Sequence, residues 1–317
     1  MKPLCPLCNT NSKLKNTRDI YHYYLCSKCK TLFLHPKPSK KQLDDYYKKT
    51  FQYTAGCTNE QPIRERARTI LKKLVKFNPE GLTILDIGSG YGYFLDEARK
   101  KGLKVTGIEP NRVLASDSIN QLIESLHNVT FEQFFRNNKK RKYDFITLIH
   151  VIEHVPNPRE VLQMTCKLLA PGGILYIETP NLDSHLYRAE KDNYTFLTPP
   201  DHLWIFSRDS LRKILPDKYN FKYISTYSYP EHLMGILKSL LKRVDNNAGV
   251  AVTAGQIQPT RLNLDRQDAP TSFKNRLSII ISFIKYLIFD KCIARLFYPL
   301  LNLKYYGSIL ELYIKKK

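Results

Sequence analysis

Residues 83–92, TILDIGSGYG, constrain the fold of this chain more than any other stretch. Thr83, Ile84, Leu85 and Ile87 make a short apolar and β-branched run, the kind that forms a strand buried on both faces of a parallel sheet. Gly88, Gly90 and Gly92 then alternate with Ser89 and Tyr91, and residues 94–100, FLDEARK, continue with helix-forming side chains. Strand, glycine turn and helix in that order are the layout of a nucleotide site. Glycine lets a ligand approach the backbone at a strand end and tolerates positive φ. Asp86 adds a carboxylate there, which suits a cationic or hydroxyl-rich ligand better than a pyrophosphate. The dinucleotide pattern GxGxxG would need its third glycine at position 93, which is Tyr93, and the lysine and Ser/Thr pair of a P-loop are missing.

Glu109 closes the second expected strand, residues 103–108, about twenty residues past the glycines, where an acid can accept hydrogen bonds from both ribose hydroxyls. Residues 128–131 are expected as a short third strand and residues 142–149, KYDFITLI, as the fourth. HVIEHVPNP follows, with Asn157 as helix cap and Pro158 in the first turn, and then APGG at 170–173 and a fifth strand at 174–178. Residues 221–227 and 305–314 alternate as sixth and seventh strands, which makes 231–304 an insertion.

The N-terminus carries a separate pattern. Cys5, Cys8, Cys26 and Cys29 form two CxxC knuckles that can set four thiolates around one zinc ion, with residues 21–25 and 31–34 as the strands of a ribbon. Seven cysteines, an odd number, suit metal ligands and free thiols better than a disulfide framework. The opening MKPLCPLC has no apolar leader, so a cytoplasmic protein is expected.

These motifs resemble the class I S-adenosylmethionine (SAM) dependent methyltransferases. DIGSGYG is similar to their motif I, and DFITLIHVIEHVPNP through LLAPGGILYIETPN to the members that include ubiquinone-pathway O-methyltransferases and many glycan-cluster enzymes. The resemblance implies an α/β, Rossmann-like seven-stranded sheet of order 3-2-1-4-5-7-6, with an N-terminal zinc ribbon and a helical insertion before the last strand. It assigns Asp86, Gly88, Ser89, Gly90, Gly92, Glu109 and His150 to SAM, and places the adenine near Phe131 and Glu132. His154 is the first candidate base for deprotonating an acceptor, with Glu153 orienting it or binding substrate; His202, in TPPDHLWIFS, is the second. Shaping of the SAM pocket without proton transfer is the alternative for this pair. Similar chains with E-x-x-E-H hold a divalent cation, but His150 replaces the first acid here, so no second metal is expected beside the structural zinc. The implied reaction is O-methylation of a small-molecule or glycan acceptor, lipid-linked acceptors included.

The expected organisation is a zinc ribbon at 1–38, a helical linker at 39–80, the SAM-binding core at 81–230, the insertion at 231–304 and a final strand with a basic tail at 305–317. Charge separates these parts. The net +21 comes almost wholly from the flanks: residues 1–80 carry 17 Lys/Arg against 6 Asp/Glu and residues 231–317 carry 14 against 6, while the middle has 19 against 17. Basic flanks favour an anionic partner such as phospholipid, a phosphate-linked glycan or nucleic acid; solvated lysine-rich faces are the plainer explanation. The apolar stretch 273–303 is too short and too interrupted by Lys285 to span a bilayer. It fits a helix in a membrane interface at the inner face of the cell membrane, and equally a dimer contact or a lid. An RNA methyltransferase and a non-enzymatic module with a degenerate SAM site are the rival functions.

Overall fold

The cysteine knuckles brace a small antiparallel meander, β1 (Ser12–Arg18), β2 (Tyr21–Cys26) and β3 (Leu32–His35). The computed structural model describes residues 2–52, 60–115, 125–229, 232–233, 235–237, 239 and 294–317. β2 and β3 match the expected ribbon strands. β1 has no counterpart in the sequence pattern, because it is an edge strand with polar residues on both faces and Leu14 exposed; pairing with β2 makes it a strand.

α1 (Lys40–Gln52) starts at a reciprocal cap, in which Gln42 N donates to Ser39 Oγ at 3.3 Å and Ser39 N donates to Gln42 Oε1 at 2.8 Å. α2 (Glu60–Phe77) buries Ala67, Ile70, Leu71 and Leu74 as their helical spacing requires. On the polar side of this helix Arg66 does not face solvent but is buried.

The core continues with β4 (Thr83–Ile87), α3 (Tyr93–Lys100), β5 (Lys104–Ile108), α4 (Arg112–Ala115), β6 (Leu126–His127), α5 (Phe131–Asn137) and β7 (Tyr143–Ile149). Then come α6 (Pro158–Leu168), β8 (Leu169–Pro180), α7 (His185–Glu190), β9 (Trp204–Ile205), α8 (Arg208–Ile214), β10 (Tyr219–Tyr227), α9 (Ala294–Leu301) and β11 (Ile309–Lys316). The large sheet has the order β10-β11-β8-β7-β4-β5-β6. It is parallel from β8 to β6, and β11 runs antiparallel to both neighbours, so the order 3-2-1-4-5-7-6 is met. Ile84, Leu85, Phe145, Ile146, Leu175 and Ile177 are fully buried between the helical layers. The carboxyl ends of β4, β5 and β7 therefore open on one edge, where ligands of such sheets bind.

One strand lies elsewhere than expected. The third strand of the core ends at His127, before residues 128–131. Asn128 Nδ2 donates to Glu109 O at 2.7 Å, and Thr130 Oγ1 accepts from Gln133 N as the cap of α5, so local side-chain bonds turn the chain from strand to helix. Phe131 and Glu132 thus open a helix.

β9 belongs to the other sheet. It pairs antiparallel with β3, Leu32 opposite Ile205 and Phe33 opposite Trp204, giving a four-stranded sheet β1-β2-β3-β9. Of the insertion, α9 is described and contains Pro299, with Leu296 and Leu300 exposed. The apolar run at 277–289 and most of the expected membrane-facing or dimer-forming stretch lie outside the described residues. Among the described residues no helix is long and apolar enough to cross a membrane.

Candidate functional site

β4 delivers the chain into the glycine turn at Gly88, whose φ is +76° and where a Cβ would lie 2.6 Å from Val151 Cγ2. A side chain there would collide with the loop that carries the histidines. Gly88 N and Ser89 N donate to Ile108 O at 2.8 and 3.0 Å, fastening the turn to β5. Gly90 also has positive φ, +54°, but among the described residues a Cβ there would meet nothing within 4 Å. That open face is the space a ligand would fill.

Glu109 stands at the rim, 6% exposed. Its Oε2 accepts from Gly90 N and its Oε1 from Asn111 N, both at 2.8 Å. Each oxygen keeps a further lone pair for a ligand hydroxyl. Burial pushes this carboxyl above its ordinary value, and the two amides pull it back. Asp86 is buried more deeply and accepts from Thr147 Oγ1 at 2.5 Å. Burial raises its carboxyl to about 7, against the pull of that bond. Ser89 Oγ and the Tyr91 hydroxyl are buried with no partner among the described residues. An open glycine cradle, an acid at the next strand end and two orphaned hydroxyls fit a nucleoside with a polar tail, as SAM is.

His150 directly follows β7, a non-glycine residue held at φ +52°, which is an uncommon conformation that here aims the ring between two acids. His150 Nδ1 lies 3.1 Å from Glu153 Oε1 and Nε2 lies 3.4 Å from Glu178 Oε1. With a carboxylate at each nitrogen, both nitrogens carry protons. Burial alone would lower this imidazole, but the two acids override it and lift it to about 10. An imidazolium has no lone pair, so His150 cannot accept a proton from a substrate. Glu153, fully buried, accepts from His150 and from Thr179 Oγ1 at 3.0 Å.

His154 takes its orientation elsewhere. Its Nδ1 donates to Asp201 O at 2.9 Å, and His202 Nδ1 donates to Phe196 O at 2.8 Å. The carbonyl partners assign both tautomers, leaving the lone pair of each neutral ring on Nε2. The two rings sit 4.7 Å apart at 69°. Burial lowers both imidazoles, His154 further by the neighbouring His202, so both are neutral near pH 7. The expected orienter of His154, Glu153, is therefore replaced by a backbone carbonyl. Glu153, His154 and His202 also offer donor atoms within 4.8 Å of one another, close enough to share one cation.

Behind His150 runs a buried charge chain that the sequence pattern hides. Arg66 Nη2 lies 2.7 Å from Glu178 Oε2 and 2.6 Å from Glu311 Oε1, and the Tyr229 hydroxyl donates to Glu178 Oε1 at 3.0 Å. The Arg66 guanidinium also covers the Tyr227 ring at 4.2 Å. Its charge holds Glu178 well below the usual carboxylate range despite full burial.

The cysteine sulfurs converge as their spacing requires. Cys5 and Cys29 Sγ are 3.7 Å apart, Cys8 and Cys26 Sγ 3.4 Å, and all four lie within 4.8 Å of one another. Lys28 N and Cys29 N point at Cys26 Sγ from 3.4 and 3.3 Å. The contact between the two sulfurs lowers the Cys29 thiol and raises that of Cys5. Four soft donors in this arrangement suit a tetrahedral zinc ion.

A family model described as a methyltransferase domain matches residues 60–226. The chain belongs to this methyltransferase-domain family. Among similar curated proteins, the ubiquinone biosynthesis O-methyltransferase of Aeromonas salmonicida (strain A449) is 32% identical over 111 residues, 34% of this chain and 47% of that protein. The protein of the same name from Glaesserella parasuis serovar 5 (strain SH0165) is 34% identical over 119 residues, 34% of this chain and 49% of its own. The chain spans about half the length of the curated relatives it matches. Among solved structures, the plantazolicin methyltransferase BpumL with a monoazolic desmethylPZN analog and SAH superposes with a TM-score of 0.51 at 16% identity, covering 88% of this chain and 93% of that one. The shared fold is that of SAM-dependent methyltransferases.

In this methyltransferase-family chain, Asp86, Gly88, Ser89, Gly90, Gly92 and Glu109 lie at or beside the carboxyl ends of β4 and β5. His150, Glu153 and His154 follow β7 beside them, and His202 joins from the segment before β9. Phe131 sits in the core at 7% exposure and Glu132 in the first turn of α5. Thr147, Glu178, Arg66 and Asp201 went unrecognised in the sequence. Glu178 had a signal, since an acid inside the apolar run ILYIETP needs a buried partner.

Proposed function

We propose that this chain is a SAM-dependent methyltransferase that methylates a hydroxyl of a small-molecule or glycan acceptor, with a structural zinc on Cys5, Cys8, Cys26 and Cys29. The observation that carries the reading is the pair of neutral, backbone-anchored imidazoles, His154 and His202, next to an open glycine cradle. Bound SAM supplies a methyl group on a cationic sulfur. Gly88 lets the turn pack against Val151, Gly90 gives the backbone room beside the ligand, Glu109 accepts from the ribose hydroxyls, and Phe131 and Glu132 lie on the adenine side. His154 Nε2 takes the acceptor proton, while the Asp201 carbonyl holds the ring by accepting from Nδ1–H. The names of the curated relatives support oxygen as the acceptor atom.

Calorimetric titration with SAM tests the cofactor half. Glu109→Ala should weaken binding at least about tenfold, since a hydrogen bond to a charged group contributes about 1.5–3 kcal/mol. Labelled methyl transfer to sugar, phenolic and RNA acceptors then tests the class, and wild-type protein that binds no SAM would end this reading.

The clustering of Glu153, His154 and His202 donors favours a second reading, in which a divalent cation holds the acceptor oxygen. Stripping with EDTA and refilling separates the two. With the cysteine site already refilled with zinc, a remaining loss of about tenfold or more that a further cation restores supports the cation; full turnover with the cysteine zinc alone supports His154 as base.

A further inference from the structure

The sheet that carries the cysteines ends on the strand next to His202. β2 closes on Cys26 and β3 opens at Leu32, so the second knuckle is the turn of this hairpin. The hairpin grips the segment that leads out of His202: Tyr23 Oη donates to His202 O at 2.9 Å, and Leu34 N donates to Leu203 O at 2.9 Å. Phe33 pairs with Trp204 through the backbone, and their rings lie 6.4 Å apart. The opposite edge of the segment is held by the histidine loop. Leu203 N and Trp204 N donate to Glu153 O at 2.9 and 3.1 Å, and Trp204 Nε1 donates to Val155 O at 2.8 Å. His202 thus stands between a metal-binding hairpin and the loop of His154.

We propose that the cysteine hairpin is a wall of the catalytic cleft, with Tyr23 as the positioning residue that fixes His202 against His154. Its consequence for turnover rests on the methyl-transfer reading; the clamp itself rests on geometry. Tyr23 is fully buried, so its ring has one slot, and its hydroxyl supplies the donor for the His202 carbonyl. Removing that donor leaves the ring in place and frees the carbonyl to seek another partner. A shift of under about 1 Å at His202 is enough to misalign reacting groups. A zinc ion on the four cysteines would brace the turn that joins β2 to β3, so its removal would loosen the same grip.

The test is Tyr23→Phe in the full chain, with Tyr24→Phe as control on the other face of β2. Histidine side-chain NMR reports the His202 environment without reference to activity. For Tyr23→Phe, His202 signals should move and kcat should fall about tenfold, with KM for SAM and bound zinc unchanged. Chelator-stripped wild-type protein should show the same displacement of His202 signals. Tyr24→Phe should change neither. Unmoved His202 signals, or moved signals with wild-type kcat, would each overturn the proposal. Signals that move in Tyr23→Phe while the wild-type protein transfers no methyl group would sink the methyl-transfer reading and leave the clamp standing.

Discussion

Arg66→Met will destabilise the chain by about 3–5 kcal/mol at pH 7.5, measured by urea unfolding, because removing one partner of a buried ion pair strands the others. Arg66 is 7% exposed and faces both Glu178 and Glu311, themselves 0% and 2% exposed. Lys73 reaches Glu311 only at 3.6 Å and, of these two acids, His150 reaches only Glu178, at 3.4 Å, so neither bridges the pair as the guanidinium does. The pH dependence has a definite sign. Glu178 is held below its ordinary value of 4.5 in the folded chain, so its contribution is present above 4.5 and is lost as pH falls through the lowered value. In the variant Glu178 keeps only His150 as a neighbouring cation and gains a proton more readily. The deficit is therefore largest above pH 4.5 and shrinks below it. Arg64→Met makes the comparison: its acids Asp96 and Glu97 are also served by Lys100, with Arg99 on the first and Arg68 on the second. The cost there should be about 1 kcal/mol or less. Equal costs would mean that Arg66 is not the keystone of the buried chain.

The sequence displays the sheet better than it displays the site. Apolar runs, glycines and turn residues act locally, so Thr83–Ile87, Tyr143–Ile149 and the helix cap at Asn157 were legible without coordinates. The zinc-type knuckles were legible for the same reason, since their spacing is itself the geometry. What stayed hidden depends on contacts between distant residues. Arg66 looks like one more cation on the wet face of α2 until β8 and β11 bring two acids to it. His150 and His154 look equivalent in HVIEH, yet two carboxylates make one a fixed cation and a backbone carbonyl makes the other a neutral acceptor. Residues 204–205 could not be seen to belong to the ribbon, because a two-residue strand has no period of its own. The third core strand was misplaced by local polar bonding at Asn128 and Thr130.

That division of the two histidines leads to the largest expected effect on activity. His154→Ala should lower kcat by about 10²–10⁴-fold, the usual contribution of a positioned general base. SAM affinity should stay within about twofold, because no part of the glycine cradle or of Glu109 is altered. His202→Ala should cost less, about tenfold, if His202 only packs against His154 and keeps it neutral. A larger loss at His202 than at His154 would exchange their roles and make the second candidate the base. Comparable losses in both variants, together with rescue of EDTA-stripped wild-type enzyme by a divalent ion beyond the cysteine zinc, would instead assign Glu153, His154 and His202 to a cation. His150→Gln separates charge from chemistry. Its amide can still meet Glu153, but the positive charge between Glu153 and Glu178 is gone. It should therefore unfold at lower urea than the wild type while losing less kcat than His154→Ala. A His150→Gln enzyme as inactive as His154→Ala, yet as stable as the wild type, would show that His150 acts on the substrate directly.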